Sequence, residues 1–342
     1  MRKTRIAING FGRIGRSFFR IARMRPELEI VAINDLGDIE NLAYLLKYDT
    51  AYGKADFEAS GSEGSLVVNG KGIKFLSERN PSDLPWGDMD IDIVVESTGI
   101  FASYEKSKMH LDAGAKRVVV TAPVKDDPDE AGINGATVLV GVNDLALKDS
   151  VISSNASCTT NAGSPLIQIL NEGLGIEKAV LNSAHGYTAT QSIVDSPNKK
   201  DFRKGRAGAV NIIPSTTGAA IATTKAITDL EGKFDGIALR VPVISGSIAD
   251  VTFISKRDTT VEEVNDILKK AAKEDRWSRV FNVTEEPIVS SDIIGSKYAS
   301  VADLALTRVV GGNLVKVMAW YDNEMGYTHA LVEHVIISGK YI

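Results

Sequence analysis

The sequence predicts two domains: a doubly wound α/β domain in the first half, then an α+β domain with a mixed, mainly antiparallel sheet. The 342 residues suffice for about two separate cores. Up to about residue 157, short apolar strands alternate with helical patterns, as a parallel sheet requires. Beyond it, the strands 236–241 and 250–255 show more alternation, which favours a sheet with helices on one face.

The first strand leads into a glycine-rich turn. Residues 5–9 read as a buried strand and are followed by Gly10, Gly12 and Gly15 in the spacing G-x-G-x-x-G. A helix with one apolar face follows, formed by Ile14, Phe18, Ile21 and Ala22. Gly10 permits the tight turn, Gly12 lets the backbone approach a pyrophosphate, and Gly15 allows close helix–strand packing. A purely structural turn is the alternative, but the strand–turn–helix context favours a Rossmann-type dinucleotide site.

An acidic residue ends the second strand. Residues 30–34 form this strand, and Asp35 stands twenty positions after Gly15. At that spacing a carboxylate accepts hydrogen bonds from both hydroxyls of the adenosine ribose. It would repel a 2′-phosphate, so Asp35 favours NAD over NADP. An aspartate that only caps a turn is the alternative.

Two further strands, 91–96 and 117–121, continue the parallel sheet on either side of a helix at 102–115. Each strand is followed by small residues, as a cofactor lying across the sheet edge requires. These residues are Ser97, Thr98, Gly99, Ala122 and Pro123. The charged stretch 124–136 is predicted to be a surface loop without an assigned role.

Cys158 is the only cysteine, so it can form neither an internal disulfide nor a cysteine metal cluster. A single cysteine is by default a small buried hydrophobe. Its neighbours in 154–161 are small hydroxyl and amide residues, however, which suit a polar pocket. A helical apolar pattern follows, formed by Leu166, Ile169, Leu170 and Leu174. A helix N-terminus favours thiolate, so Cys158 is predicted to be a nucleophile; Pro165 should bend this helix early.

A cysteine nucleophile needs a general base, and the chain has four histidines. His110 falls in a charged helix, and His329 and His334 lie in the last helical segment. His185 directly follows the predicted strand 178–182, and strand ends point side chains into clefts. His185 is therefore the favoured base, with a structural histidine as the alternative.

Two segments of the second half carry local signals. Residues 260–273 are predicted to form a helix opened by a capping box of Thr260 and Glu263. Residues 195–208 form a long polar loop, either a solvated surface loop or an anion site or subunit interface. Its basic residues are Lys199, Lys200, Arg203, Lys204 and Arg206.

Charge and hydropathy narrow the class of protein. The net charge of −5 and the absence of a long basic run argue against a nucleic-acid partner. The N-terminus lacks the apolar stretch of a signal peptide, and no eighteen apolar residues run together. We therefore expect a cytoplasmic protein without a membrane partner, because a free thiol persists in the reducing cytoplasm. We expect no metal site.

With these residues in view, the chain resembles the phosphorylating glyceraldehyde-3-phosphate dehydrogenases of the bacterial and eukaryotic type along essentially its whole length. The octapeptide around Cys158, found in the same order as the other matching segments, is highly specific for this family. The matching segments are residues 8–15, 34–36, 46–49, 96–99, 154–161, 212–220, 240–242 and 320–324.

The resemblance implies a reaction and its residues. Cys158 attacks an aldehyde carbon, His185 moves the protons, and NAD takes the hydride. Inorganic phosphate then cleaves the thioester. Thr188 and Arg240 match the substrate-phosphate site. The inorganic-phosphate site is matched by Ser157, Thr159, Thr217 and Gly218.

The resemblance also implies cofactor contacts, domain limits and assembly. The implied NAD-binding residues are Gly10, Phe11, Gly12, Arg13, Ile14, Gly15, Asn34, Asp35, Arg79, Thr98, Gly99, Thr121, Asn323 and Tyr327. Residues 1–157 and 324–342 would form the NAD-binding domain, and 158–323 the catalytic domain. The 195–208 loop matches a loop at a subunit interface of the family, which implies a homotetramer.

The chain departs from the family pattern at a few positions. Ala162 replaces the second cysteine common in the family, and Gly186 replaces a larger residue. Val243 and the segment 244–247 are also unusual. Three alternatives remain at this point: an erythrose-4-phosphate dehydrogenase, a semialdehyde dehydrogenase, and a binding protein on an inactive scaffold.

Overall fold

A computed structural model describes residues 2–199 and 201–342, so the predicted basic residue Lys200 lies outside the described residues. The chain divides into two compact units. The first comprises the residues up to Val138 together with Asn143–Ala156 and Leu331–Ile342. The second comprises Leu139–Val142 and Ser157–Ala330.

The first unit is built on a nine-stranded sheet with the order β10-β11-β9-β8-β1-β2-β7-β6-β5. Every pair from β10 to β7 is parallel, whereas β5, β6 and β7 form an antiparallel meander at one edge. The strands are β1 (Thr4–Asn9), β2 (Leu28–Asn34), β5 (Ala59–Ser62), β6 (Ser65–Val68), β7 (Lys71–Leu76), β8 (Ile93–Glu96), β9 (Arg117–Val120), β10 (Gly135–Thr137) and β11 (Ile152–Ser154). A separate two-stranded ladder joins β3 (Tyr48–Asp49) to β4 (Gly53–Lys54).

Three helices connect these strands: α1 (Arg13–Ala22), α2 (Ile39–Lys47) and α3 (Tyr104–Asp112). The middle residues of the central strands are apolar because parallel strands are covered on both faces. Ile6, Ala7 and Ile8 of β1 are fully buried. One face of the sheet packs on Trp86 and Tyr104 in the hydrophobic core. The first half thus has the predicted doubly wound architecture.

The second unit holds an eight-stranded sheet. Seven strands follow the order β13-β14-β12-β15-β19-β17-β16, and the eighth, β18, pairs with β19. Only β12–β14 and β16–β17 are parallel. The strands are β12 (Ile176–Gly186), β13 (Ile213–Thr216), β14 (Phe234–Val241), β15 (Ser247–Ser255), β16 (Phe281–Thr284), β17 (Ser300–Asp303), β18 (Arg308–Val310) and β19 (Leu314–Tyr321). The predicted mixed, mainly antiparallel sheet is confirmed.

The helices of this half are α4 (Cys158–Leu174), α5 (Ala219–Ala226), α6 (Val261–Ala271) and α7 (Met325–Gly339). Thr260 caps α6 by accepting a hydrogen bond from the Glu263 N–H at 3.2 Å. The predicted capping box is only half formed, because the Glu263 carboxylate instead binds Arg257 and Thr259. Residues 331–342 belong to the first unit.

One expectation about the centre of the chain needs correction. The strand predicted to end at residue 182 continues to Gly186, so His185 lies inside β12 rather than after it. It continues because β12 keeps a partner on both sides, β14 and β15, almost to its end. Helix α4 includes Pro165 and extends to Leu174. Among the described residues, no helix is both long and apolar enough to cross a membrane.

Candidate active site

A cleft of about 370 Å³ opens at the carboxyl ends of β1, β2 and β8 in the first unit. Six of the predicted cofactor residues line it: Gly10, Gly12, Asn34, Asp35, Arg79 and Thr98. Ser97, predicted at this edge of the sheet, and Leu36, of the matching segment 34–36, also line it. The other lining residues were not indicated by the sequence: Asn9, Glu78, Ile100 and Phe101. Leu36 and Ile100 are large apolar side chains with more than half of their surface exposed, which suits the faces of a planar base.

The three glycines of the turn differ in the space around them. Gly10 has φ +93°, and a Cβ there would lie 2.6 Å from the Thr98 nitrogen. A Cβ on Gly15 would lie 2.1 Å from the Gly10 carbonyl oxygen, so the helix can approach the strand only without a side chain. Around Gly12 nothing lies within 4 Å of a Cβ position. Gly12 thus leaves open space at the N-terminus of α1, which no side chain caps.

Asp35 is held rigidly at the rim of the cleft. Its carboxylate accepts hydrogen bonds from the N–H groups of Phe11 at 2.6 Å and Gly37 at 2.7 Å. These bonds use one lone pair of each oxygen and leave others available for a diol. The fixed carboxylate faces the same cleft as Gly12, which agrees with a ribose role.

Hydrogen bonds and an ion pair hold three of the predicted cofactor residues in place. The Asn34 amide bonds to Asn9 and to the backbone of Glu78, so it fixes the loop that carries Arg79. Thr98 donates its hydroxyl to the buried Glu96. The guanidinium of Arg13 pairs with Asp49 at 3.1 Å. Six predicted cofactor residues of the first unit are not among the lining residues of the cleft: Phe11, Arg13, Ile14, Gly15, Gly99 and Thr121.

Cys158 begins helix α4, as predicted. Ala156, two residues earlier, is buried and has the left-handed φ of +53°, which is strained for a residue other than glycine. Ser157 follows as the N-cap and accepts the Thr160 N–H at 3.1 Å. This turn sets the half-buried thiol at the positive end of the helix dipole.

His185 faces this thiol. Its Nε2 lies 3.2 Å from Cys158 Sγ, within hydrogen-bonding distance. On the other side of the ring, Nδ1 lies 2.6 Å from the Gly186 carbonyl oxygen and 2.6 Å from Arg240 Nη1. The sequence-predicted nucleophile, base and substrate-phosphate arginine are therefore in direct contact.

Burial sets the charge state of the pair. Burial raises the pKa of the Cys158 thiol, although the positive charge of Arg240 acts against this rise. Burial, followed by repulsion from Arg240, lowers the pKa of His185 to about 3. Both shifts favour the neutral thiol and the neutral imidazole, from which the sulfur is ionised by transfer of its proton to the ring.

The remaining predicted phosphate residues lie on three elements of the second unit. Ser157 and Thr159 begin α4, Thr188 follows β12, and Thr217 with Gly218 precedes α5. Gly218 precedes α5 and offers no side-chain cap, while Thr217 Oγ1 accepts the Ala219 N–H at 3.1 Å. No described atom outside its immediate neighbours lies within 4 Å of a Cβ position on Gly218. This combination leaves N–H groups open to an anion.

The contacts that Tyr321 and Ser247 make around the pair were not foreseen. The Tyr321 hydroxyl bonds to Thr159 at 2.9 Å and Ser183 at 2.7 Å, and its ring packs edge-on against His185. Ser247 Oγ accepts the Gly186 N–H at 3.1 Å and donates to Asn323 Oδ1 at 2.8 Å. Tyr321 belongs to the segment 320–324 that carried the resemblance, so its position was indicated but not its role.

The last two predicted cofactor residues lie at the end of the second unit. Asn323 is buried, and its Oδ1 is held by Ser247 and, at 3.3 Å, by Ser245. Its amide nitrogen is therefore the group left to donate. Tyr327 is buried in α7.

Two other histidines have structural partners. Trp86 Nε1 donates to His110 Nδ1 at 3.0 Å, and His110 Nε2 donates to Glu96 at 3.1 Å. His334 accepts from Ser153 at 2.7 Å, and burial lowers its pKa to about 3. Within the described residues, no three His, Cys, Asp or Glu side chains cluster so that they could hold a metal ion.

A dinucleotide-type α/β unit, followed by a unit with a Cys–His pair and an arginine, is the arrangement of an oxidoreductase that acts on aldehydes through a covalent thiol adduct. Comparison with known proteins identifies which one. Residues 4–104 match the family described as glyceraldehyde 3-phosphate dehydrogenase, NAD binding domain. Residues 157–323 match its C-terminal domain. The chain belongs to the glyceraldehyde 3-phosphate dehydrogenase family.

Similar proteins cover nearly the whole chain. The glyceraldehyde-3-phosphate dehydrogenase of Streptomyces coelicolor is 46% identical over 339 residues, which cover 98% of both chains. That of Clostridium acetobutylicum is 48% identical over 342 residues, again 98% of both. That of Thermotoga maritima is 48% identical over 332 residues, 96% of this chain and 97% of the relative.

Proposed function

We propose that this protein is an NAD-dependent, phosphorylating glyceraldehyde-3-phosphate dehydrogenase that converts D-glyceraldehyde 3-phosphate and inorganic phosphate to 1,3-bisphosphoglycerate. The observation that carries the proposal is the 3.2 Å contact between Cys158 Sγ and His185 Nε2, with Arg240 directly behind the ring. The reaction belongs to glycolysis and gluconeogenesis. The similar proteins match this chain along nearly their whole length, and they bear the name of this enzyme.

The first step is addition of sulfur to the aldehyde. His185 takes the Cys158 proton at Nε2, and the thiolate forms a C–S bond to the carbonyl carbon. The carbonyl oxygen receives the proton, which gives a hemithioacetal. A thiolate suits this step because sulfur adds readily and its acyl ester keeps a high acyl-transfer potential.

The second step oxidises the adduct. When bound, NAD supplies the acceptor for the hydride that leaves the hemithioacetal carbon. His185 Nε2 takes the hydroxyl proton at the same time, so the C–O bond becomes a carbonyl and Cys158 carries a thioester. Inorganic phosphate then attacks the thioester carbon and releases the acyl phosphate and the thiolate.

Two anion sites divide the phosphate groups. Arg240 and Thr188 bind the substrate phosphate. Among the described residues no carboxylate pairs with Arg240, and its Nε is buried without a partner, which suits an arginine reserved for an anion. Inorganic phosphate binds at the starts of α4 and α5, where the donors are Ser157, Thr159, Thr217 and Gly218.

The cleft of the first unit fits the cofactor. The open space at Gly12 and the uncapped start of α1 fit a pyrophosphate, and Asp35 fits the ribose diol. We assign Phe11, Arg13, Ile14, Arg79, Thr98, Gly99 and Thr121 to the neighbouring cofactor contacts. Asn323, whose amide nitrogen is left to donate, is assigned to the nicotinamide carboxamide, with Tyr327 beside it. We retain 1–157 plus 324–342 and 158–323 as the two functional domains.

A steady-state assay tests the function directly. NAD reduction with glyceraldehyde 3-phosphate should require inorganic phosphate and should be faster with NAD than with NADP. Erythrose 4-phosphate, the substrate of the alternative, should be used less well. A preference for erythrose 4-phosphate, or NAD reduction that does not depend on phosphate, would contradict the proposal.

We further propose that the protein is a cytoplasmic homotetramer. The exposed face of the second sheet carries Val180, Ile237 and Leu314. Asn182 Oδ1 and Asp250 Oδ1 are buried there, and neither has a hydrogen-bond partner among the described residues. The loop 189–212 adds further exposed apolar side chains, namely Ile193, Val194, Phe202, Val210 and Ile212. Exposed apolar surface of this extent is typical of subunit interfaces.

Sedimentation distinguishes the assembly states. Ile237→Glu should dissociate the oligomer, because it places a charge in the apolar face. Met24→Glu replaces an equally exposed apolar residue of the first unit and should not. A wild-type monomer would refute the assembly proposal without affecting the catalytic one.

A further inference from the structure

Three polar side chains form a hydrogen-bonded ladder across the strand ends that carry the cofactor cleft. Asn34, Asn9 and Glu96 are the last residues of β2, β1 and β8, and each is the register partner of the next. Register partners in parallel strands lie on the same face of a sheet. All three are buried. Asn34 Nδ2 donates to Asn9 Oδ1 at 2.7 Å, and Asn9 Nδ2 donates to Glu96 Oε2 at 2.5 Å.

Glu96 ends this ladder as a group that only accepts hydrogen bonds. Its Oε2 also accepts from His110 Nε2 at 3.1 Å. That nitrogen carries the proton of the ring, because Trp86 Nε1, which can only donate, lies 3.0 Å from Nδ1. Its Oε1 accepts from the Thr98 N–H at 2.8 Å and from the Thr98 hydroxyl. Donors therefore face both oxygens, and an amide NH₂ group could replace neither without meeting another donor.

The ladder transmits this polarity to one wall of the cleft. Because the Asn9 nitrogen faces a carboxylate, its oxygen faces Asn34. Asn34 Nδ2 therefore donates to that oxygen and to the Glu78 carbonyl oxygen at 2.9 Å, while Asn34 Oδ1 accepts the Glu78 N–H at 2.8 Å. Arg79, the next residue, lines the cleft. The orientation of both amides, and with it the loop that carries Arg79, thus follows from the carboxylate at position 96.

Glu96 fixes a second wall of the cleft through Thr98. The Thr98 hydroxyl, which donates to Glu96, accepts the Ile100 N–H at 3.1 Å. The carboxylate therefore orders the turn formed by residues 98–100. Thr98 and Ile100 line the cleft, but Glu96 does not. Its effect on a bound cofactor is exerted only through the groups that it orients.

We propose that Glu96 is a positioning residue for NAD, whose buried carboxylate sets the hydrogen-bond polarity of both walls of the cleft. The proposal rests on the proposed function, in which this cleft binds NAD. A neutral amide at position 96 would direct its NH₂ group against Asn9 Nδ2 or against the Thr98 N–H. In the first case the amides of Asn9 and Asn34 turn over or are left with donors facing each other. In the second case the turn 98–100 loses its acceptor.

Replacing the carboxylate by an amide should weaken NAD binding. In Glu96→Gln, the dissociation constant for NAD measured by calorimetry and the KM for NAD should each rise by about tenfold, the usual effect of a buried donor left without an acceptor. The kcat at saturating NAD should change by less than about twofold, because the Cys–His pair lies in the second unit. In Asn9→Asp, two carboxylates face each other, and NAD affinity should fall at least as far.

The double variant Asn9→Asp/Glu96→Gln moves the carboxylate across one hydrogen bond. The carboxylate at position 9 can then accept from the amide at position 96 and from Asn34. His110 Nε2, which lies 3.4 Å from Asn9 Nδ2, can also donate to it. The ladder keeps its polarity and the protein its net charge. The NAD affinity should therefore return to within about threefold of the wild type, although each single change weakens it.

Leu28→Ala is the control for a loss of stability alone. Leu28 is buried at the amino end of β2 and does not line the cleft. Leu28→Ala should lower the free energy of unfolding and leave the dissociation constant for NAD unchanged. If it weakens NAD binding as much as Glu96→Gln does, the positioning role is contradicted.

The possible failures are distinguishable. If the wild type and Glu96→Gln bind NAD equally well, or if the double variant does not regain affinity, the positioning role is refuted and the proposed enzyme is not. If Glu96→Gln does not fold, the double variant decides alone: NAD binding like that of the wild type supports the role, and weak binding or failure to fold refutes it. If the wild type binds no NAD, the proposed function fails as well.

Discussion

His185 and Arg240 are register partners in the adjacent parallel strands β12 and β14, and their side chains meet with Nδ1 and Nη1 2.6 Å apart. Register partners in parallel strands point to the same face of a sheet. The position of the imidazole therefore depends on strand pairing, which is more rigid than a loop. Cys158 approaches the opposite edge of the ring from the start of α4.

Replacing the base should slow the reaction of the thiol. In His185→Asn, alkylation of Cys158 by iodoacetamide at neutral pH should slow, because no group remains to take the sulfur proton. Turnover should fall by about 10²- to 10⁴-fold, the usual contribution of a general base. The control is His334→Asn, which alters a buried histidine of the first unit and should leave the alkylation rate unchanged. Unchanged alkylation in His185→Asn would remove His185 from thiol activation.

Acid should destabilise the fold through the same histidine. The pKa of His185 falls from 6.5 to about 3 on folding. Between those pH values the unfolded chain binds more protons, so the free energy of unfolding decreases as the pH falls. His334, whose pKa is lowered in the same way, adds to the effect. Urea denaturation between these pH values should show a shallower pH slope for His185→Asn and for His334→Asn; wild-type slopes in both would contradict the assignment.

Asp35 should control the choice between NAD and NADP. Asp35→Asn removes the charge that repels a 2′-phosphate while keeping an oxygen to accept a backbone N–H. The ratio of kcat/KM for NADP to that for NAD should rise on the order of tenfold, equivalent to about 1.4 kcal/mol. Asp38→Asn is the matched control, since Asp38 only caps α2 by accepting the Asn41 N–H at 2.8 Å. An equal rise in both variants would argue against the ribose role.

The glycines of the turn should separate stability from binding. Gly12→Ala places its methyl in open space, so the free energy of unfolding should change by less than about 0.5 kcal/mol. The KM for NAD should nevertheless rise, because the methyl occupies the space assigned to pyrophosphate. Gly15→Ala should destabilise the fold by roughly 2–4 kcal/mol, since its Cβ meets the Gly10 oxygen. A Gly12→Ala enzyme with wild-type NAD affinity would displace the cofactor from this turn.

Local patterns predicted the elements that hold the site. The first cleft is defined by the glycine spacing, the strand before it and Asp35. These features could be predicted because they depend only on local backbone conformation and on spacing along the chain. The helix after Cys158 was visible in Leu166, Ile169, Leu170 and Leu174, all of which are buried.

The contacts between distant segments were not visible in the sequence. The contact of Arg240 with His185 arises from the register of β14 on β12, and strand order is not encoded by local periodicity. The end of β12 was missed for the same reason, because pairing with two neighbours carries the strand beyond its apolar run. The hydrogen bond from Ser247 to Asn323 likewise requires β15 to pair with β19, the strand that Asn323 follows.

The most direct test of the account is to trap the acyl group. The protein is mixed with glyceraldehyde 3-phosphate and NAD without inorganic phosphate and is quenched in acid. After proteolytic digestion, the masses of its peptides are measured by mass spectrometry. We predict a 3-phosphoglyceroyl group on Cys158. This group should be lost when phosphate is added before the quench, and it should be absent in Cys158→Ser. The turnover of Cys158→Ser should fall by at least about 1,000-fold while its affinity for NAD is kept. Full turnover in Cys158→Ser, or turnover of the wild type with no acyl group at Cys158, would contradict covalent catalysis by this thiol.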